Sequence, residues 1–282
     1  MKVGLTLPSF ALLLISLTGY CQPIRLTDYQ AGRQTGKIAR YQIKGDSLFG
    51  EKQSIFIAEL KHEVRSTYKL AIGYSDSLLK KTSLFGEENK ALIALNGSFF
   101  DVEKGGSVAY LESFGKVIAR NRKSGEKWAK TDSLLNGAIV IGKKGRLKIE
   151  IARTAKYYEH SKKESAVLVS GPILLVNGKI VRLENSEFVR KRHPRSCLCK
   201  TGEKSILFIA IDGRSDMASG MNLKELQQFL LRLHCRNAIN LDGGGSTTLW
   251  INDGYEKGIL NNPSDKEGER PVANILMVQQ KE

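Results

Sequence analysis

The chain is short of three things, and each shortage removes a class of protein. Acidic residues number 29 against 44 lysines and arginines, a formal net charge of +15 over 282 residues. That surplus concentrates polyanions around the protein, yet the features that read nucleic acid are missing. There is no zinc-finger spacing, no aromatic RNP-like strand and no continuous basic helix. Nucleic acid is therefore set aside as a partner, and anionic glycans or membrane surfaces fit better. Cysteine is scarce, with four in all, and "CLC" separates Cys197 from Cys199 by a single residue where zinc knuckles use more. No structural zinc site is expected. Long apolar runs are also missing: the longest, "VGLTLPSFALLLISL", is too short and too interrupted by Pro8 to span a membrane. No repeat, low-complexity tract or obvious linker divides the chain. What is present is an ordinary globular composition, 41% apolar, able to bury a substantial core.

The N-terminal run has its own reading. Lys2, the apolar stretch and then "TGYCQ" follow the order of a secretory signal, with Gly19 and Cys21 as the small residues before cleavage. The expected layout is a signal over 1–21, a β-rich segment over 22–60 and the main domain over 61–282. The exported product is periplasmic or extracellular. Lipid anchoring at Cys21 is disfavoured because Tyr20 stands where a small residue is needed. Loss of Cys21 leaves Cys197, Cys199 and Cys235, so one disulfide and one free thiol is the simplest outcome where thiols oxidise. Cys235, read as ending a helix, can reach the strand bearing the other two only if their Cα atoms approach within about 7 Å.

Short β-like runs dominate the first half. "SIFIAEL", "YKLAIGY" and "KALIALNGSFF" read as strands, "GAIVIGKKGRLKIEI" as a hairpin turning at Lys143-Lys144-Gly145, and "ILLVNGKIV" as one turning at Asn177-Gly178. The second half differs. "SILFIAID" is a buried strand. "NLKELQQFLLRLHC" then opens on Asn222 as N-cap with Glu225 three residues later, and Leu223, Leu226, Phe229, Leu230 and Leu233 mark one helical face. "NAINLD" is a second buried strand. Strand, helix and strand at this length predict a right-handed crossover between parallel close neighbours. The expected fold is α+β, a mixed β-sheet core with a C-terminal βαβ crossover and flanking helices.

That topology sets Asp212 and Asp242, each ending its strand, at one sheet edge, where open α/β sheets place ligands. Asp before Gly can simply shape a turn, but both loops carry more polar groups than turning requires. "DGRSD" adds Arg214. "DGGGSTT" adds Gly243, Gly244 and Gly245, whose amides could form an anion nest without a Cβ in the way, together with Ser246 and Thr247. "KRHPRSCLC" brings His193 and Arg195 around Pro194, and a guanidinium can grip phosphate through two prongs. "NGSFFD" contributes Asn96 and Asp101, and "GERPVANILMV" places Arg270 before a last strand.

Taken together, "LNGSFFD", "SGPILLVNGK", "HPRS", "AIDGR", "INLDGGGSTTL" and "RPVAN" resemble, in order and spacing, the phosphodiester glycosidase domain family, over roughly residues 60 to 280. Many bacterial members of that family are associated with exopolysaccharide. The resemblance implies hydrolysis of a sugar 1-phosphodiester or an anionic glycan of that type. Asp212 and Asp242 are expected as acid/base or nucleophile, in an order the sequence does not rank, with His193, Arg195 and Arg214 at the phosphate. Asn96, Asp101, Gly243, Gly244, Ser246, Thr247 and Arg270 are expected around the substrate. A phosphomonoester leaves readily, so fixed positive charge can replace a strong proton donor. Two alternatives stay open. Asp101, Asp212 and Asp242 could instead hold Ca²⁺ or Mg²⁺ for a metal-dependent phosphodiesterase, or the chain could be a non-catalytic glycan-binding module.

Overall fold

The computed structural model describes residues 23–31, 38–61 and 67–281. The expected signal over 1–21 lies outside them. Among the described residues strand accounts for 44% and helix for 14%, so the fold is mostly β. Seven strands form the largest sheet, in the order β1 (Ile38–Leu48), β2 (Glu51–Leu60), β13 (Ile206–Ile211), β12 (Arg195–Thr201), β14 (Cys235–Asn240), β10 (Ile173–Val176) and β11 (Lys179–Ile180). A five-stranded sheet follows the order β16 (Lys257–Ile259), β15 (Leu249–Asn252), β4 (Ala91–Asn96), β17 (Asn274–Gln280) and β3 (Tyr68–Tyr74). The other five-stranded sheet runs β6 (Lys116–Ala119), β5 (Leu111–Ser113), β9 (Glu164–Ser170), β7 (Gly137–Gly142) and β8 (Leu147–Ile151). The α-helices are α1 (Thr82–Glu88), α2 (Ala155–His160), α3 (Glu187–Arg190) and α4 (Leu223–Arg232).

Burial explains the layering. Along β13 all six side chains are buried, and they alternate between two cores. Ile206, Phe208 and Ala210 join the core shared with the two five-stranded sheets, whereas Leu207, Ile209 and Ile211 join the one under α4. The predicted stripe of α4 packs there through Leu223, Leu226, Phe229 and Leu230. Burying each such side chain contributes about 1.5–3 kcal/mol. The Asn222–Glu225 capping box forms as its spacing predicts.

Three expectations are corrected. Every strand pairing among the described residues is antiparallel, so the sheets are not mixed. β13 and β14 are not adjacent: both pair antiparallel with β12, which lies between them, and they point the same way because each opposes that strand. The physical reason is that "HPRSCLCKTG" forms a hairpin with β13 and still has a free edge for β14. Finally, Cys235 does not end the helix. α4 stops at Arg232, His234 turns the chain at φ 56°, and Cys235 opens β14 opposite Thr201. There it bonds Cys199, with a Cα–Cα distance of 5.8 Å, and leaves Cys197 as a buried free thiol. The turns at Lys143-Lys144-Gly145 and Asn177-Gly178 fall where expected, the second with φ of 53° and 78°.

Candidate active site

Register shows what the inserted strand accomplishes. Arg195 pairs with Ile211 and Cys197 with Asn240, so β12 begins where β13 and β14 end. One sheet edge therefore gathers Asp212, the His193-Pro194-Arg195 corner and Asp242. The ends of β4, β9 and β17 from the other two sheets close in around Asp242. Asn96 Nδ2 donates to the Asp242 carbonyl at 2.7 Å, and its Oδ1 accepts from Ser196 Oγ at 2.6 Å and from the Thr248 amide at 3.1 Å. The Asp242 amide donates to Gly97 O, and the Ser98 amide to Asn274 Oδ1. Several buried polar atoms here meet no protein partner: Ser170 Oγ, Asn240 Oδ1, Ser246 Oγ, Thr247 Oγ1, Thr248 Oγ1 and Asn274 Nδ2. Leaving such groups unpaired is costly, and they make the surroundings of Asp242 a polar knot.

Burial pushes the Asp242 carboxyl above the usual aspartate range, against the opposing pull of the Ser246 hydroxyl, the charges of Lys130 and Arg270, and the Gly243 amide. The Ser246 hydroxyl thus lies close to the carboxylate, although its geometry falls short of a hydrogen bond. Asp212 is buried differently. Its Oδ1 accepts from Asn261 Nδ2 at 3.2 Å and the Asn262 amide at 3.0 Å, and its Oδ2 from Ser54 Oγ at 3.1 Å and Asn262 Nδ2 at 3.0 Å. Four donors occupy it, tying β2, β13 and the 261–262 turn together. Asp101 is likewise engaged: the Lys104 and Glu103 amides and Arg122 hold its carboxyl below the usual range. Asp101, Asp212 and Asp242 thus have separate partners. Among the described residues no group of three or more His, Cys, Asp or Glu side chains forms a metal cluster.

The three glycines respond to three neighbours. A Cβ on Gly243 would meet Pro194 O at 2.6 Å, one on Gly244 would meet Arg214 Nη2 at 3.0 Å, and one on Gly245 would meet Asp265 Oδ1 at 2.1 Å. Gly244 also sits at φ 63°, a conformation that favours glycine. Of the amides expected to form a nest, that of Gly244 donates to Pro194 O at 3.0 Å, and Gly244–Ser246 winds into a 3₁₀ turn. The run lets the loop press against the HPR corner, Arg214 and Asp265 together. Arg270 clamps Asp265 through Nε at 2.7 Å and Nη2 at 3.0 Å.

The cations divide into two kinds. Arg195 is fully buried and donates to the carbonyls of Met221, Phe188 and Lys191 at 2.8–3.0 Å, with its guanidinium 4.8 Å from the Phe188 ring. Burial, with Arg214 nearby, pushes its pKa down to about 9. Arg214 is exposed, stands at φ 62° and lies 3.4 Å from His193 Nδ1. Burial, then Arg195, Arg214 and Lys191, lower the His193 pKa. Among the described residues neither guanidinium meets a carboxylate. Beside Asp212 and Arg214 a cleft of about 750 Å³ opens, lined also by Lys44, Lys52, Met217 and Asn262. Sequence reading did not single out Asn240, Asn274, Thr248, Lys130 or Asp265. Asn274 and Thr248 lay inside quoted motifs, whereas Lys130 and Asp265 sit in loops with no pattern to mark them.

Comparison with known proteins points the same way. The profile of the phosphodiester glycosidase family matches residues 89–279. The N-acetylglucosamine-1-phosphodiester α-N-acetylglucosaminidases of Bos taurus and Homo sapiens are 26% and 27% identical over 175 residues, 57% of this chain. The matched region is 31–32% of those relatives, so the chain spans about a third of their length. Among solved structures, the catalytic domain of the zebrafish enzyme of that name, auto-inhibited by pro-peptide, superposes with a TM-score of 0.65 at 22% identity, covering 89% of this chain and 87% of that one. A hypothetical protein from Synechocystis superposes with a TM-score of 0.66 at 15% identity, covering 88% and 63%. At these identities the superpositions establish the fold.

Proposed function

Since the chain belongs to the phosphodiester glycosidase family, we propose that it hydrolyses a sugar 1-phosphodiester, of the N-acetylglucosamine type or within an envelope phosphoglycan, at the glycosidic bond. One observation carries this reading: Arg214 and His193, without a carboxylate partner, face the loop that presents Asp242. A guanidinium with no internal counter-charge, beside an imidazole, suits a phosphate, and Asp242 in the polar knot suits the sugar next to it. In the reaction the C1–O bond breaks, its electron pair leaves with the phosphate oxygen, and water supplies the new hydroxyl at C1. Arg214 and His193 stabilise the departing phosphomonoester. Asp242 serves at the anomeric carbon, as base or nucleophile.

Asp212 and Arg195 act through position. Asp212 anchors the loop that carries Arg214 two residues later, and Arg195 fixes the HPR corner by gripping three carbonyls. Asn96 locks the Asp242 backbone, and Arg270, through Asp265, supports the far side of the glycines. Asp101 braces its own turn. The Cys199–Cys235 disulfide favours an oxidising compartment outside the cytoplasm. No helix among the described residues is long and apolar enough to cross a membrane.

Hydrolysis of an N-acetylglucosamine 1-phosphodiester in ¹⁸O water tests the proposal. Label in the sugar is expected, with turnover unchanged by EDTA. Label in the phosphate, or loss of turnover with EDTA that Ca²⁺ or Mg²⁺ restores, would replace it with metal-dependent phosphodiester cleavage.

A further inference from the structure

A second cleft of about 780 Å³ shares no residue with the edge described above. It lies between β3, an edge strand of its sheet, and the turn that joins β7 to β8. Its rim is basic. Lys69, Lys143 and Lys144 are exposed and, among the described residues, meet no carboxylate, while the one acid lining the cleft, Glu88, is paired with Lys80. At its mouth stands Phe114, 88% exposed and held at φ 49° at the tip of the β5–β6 hairpin. Both properties are unfavourable for a phenylalanine: a bulky side chain avoids positive φ, and a large ring gains by burial. Asparagine or glycine is the usual residue at such a hairpin position. Backbone strain that displays an aromatic ring beside unpaired cations suggests a ligand for both.

We propose that this cleft is a carbohydrate-binding site for an acidic polysaccharide, separate from the catalytic edge. The Phe114 ring offers a flat apolar face to a sugar ring, and Lys69, Lys143 and Lys144 meet the carboxylates or other anions spaced along the chain. A glycan is favoured over an acidic peptide because the exposed ring offers a flat face that a sugar ring can stack on and an acidic side chain does not use.

Affinity electrophoresis of the whole protein through gels containing polygalacturonate tests this, with neutral dextran and poly-glutamate gels alongside. The parent is expected to be retarded by polygalacturonate only. Lys143→Ala/Lys144→Ala should weaken retardation roughly tenfold, as loss of two exposed ionic contacts would. Phe114→Asn should weaken it roughly fivefold, as loss of a ring-face contact would, while the hairpin keeps a residue suited to positive φ. Lys179→Ala/Lys224→Ala removes the same charge at exposed positions elsewhere and should bind like the parent. None of these variants should alter turnover of a small sugar 1-phosphodiester. Equal weakening by the two double-lysine variants would overturn the proposal in favour of diffuse charge. Retardation by poly-glutamate that survives Phe114→Asn would overturn it in favour of an acidic peptide.

Discussion

Replacing Gly244 with Ala tests the proposed site most directly, because the structure separates its two effects. The new methyl would stand 3.0–3.3 Å from the Arg214 guanidinium, which is exposed and can move away. The backbone at φ 63° cannot relax as cheaply. An alanine at positive φ costs about 1 kcal/mol, which for a chain of this size lowers the thermal midpoint by about 2–4 °C. Displacing Arg214 removes a charge-assisted hydrogen bond to the phosphate, worth about 1.5–3 kcal/mol. That corresponds to roughly a 10- to 150-fold fall in kcat/KM. The assay is kcat/KM on an N-acetylglucosamine 1-phosphodiester, normalised to folded protein, for Gly244→Ala, Arg214→Ala and the double variant. If the methyl acts by displacing the guanidinium, the double variant should be no worse than Arg214→Ala. Losses that multiply, or near-parental turnover by Gly244→Ala, would refute the assignment of this loop and Arg214 to one site.

Asp242→Asn should abolish turnover and change the pH dependence of stability. Because the folded pKa of Asp242 is raised, its contribution is present below the unfolded value near 3.9 and is lost as pH climbs through the folded value. The Asn variant should therefore gain on the parent in denaturant midpoint from about pH 4 upward, and a constant difference across pH would contradict this. Asp212→Asn turns an amide toward four donors and should cost about 1–3 kcal/mol of stability, read as a lowered urea midpoint. Parental stability would show that those bonds do not hold the loop. Reducing Cys199–Cys235, a separation of 36 residues, should cost about 3–4 kcal/mol by chain entropy. Cys197, fully buried and with its thiol pKa pushed up, should resist a thiol reagent until the protein unfolds.

How much of this was readable beforehand follows from the range of each interaction. The α4 stripe and its capping box, the turns at Lys143-Lys144-Gly145 and Asn177-Gly178, and the buried strand "SILFIAI" depend on neighbours within a few residues, so local pattern was enough. Periodicity also indicated that Asp212 and Asp242 follow strands running the same way. Which strand lies between β13 and β14 was decided by pairings among distant segments, since a free strand edge carries no address in its own residues. The same holds for the roles inside the motifs. Asp212 and Asp242 both precede glycine in sequence, but only the packing of Ser54, Asn261 and Asn262 occupies one with four donors, while burial in a knot built from three sheets raises the pKa of the other. Composition determined that the protein is basic and globular, and local pattern where its strands, turns and α4 lie. The balance of desolvation and hydrogen bonding that distinguishes one aspartate from the other exists only once the chain has folded around them.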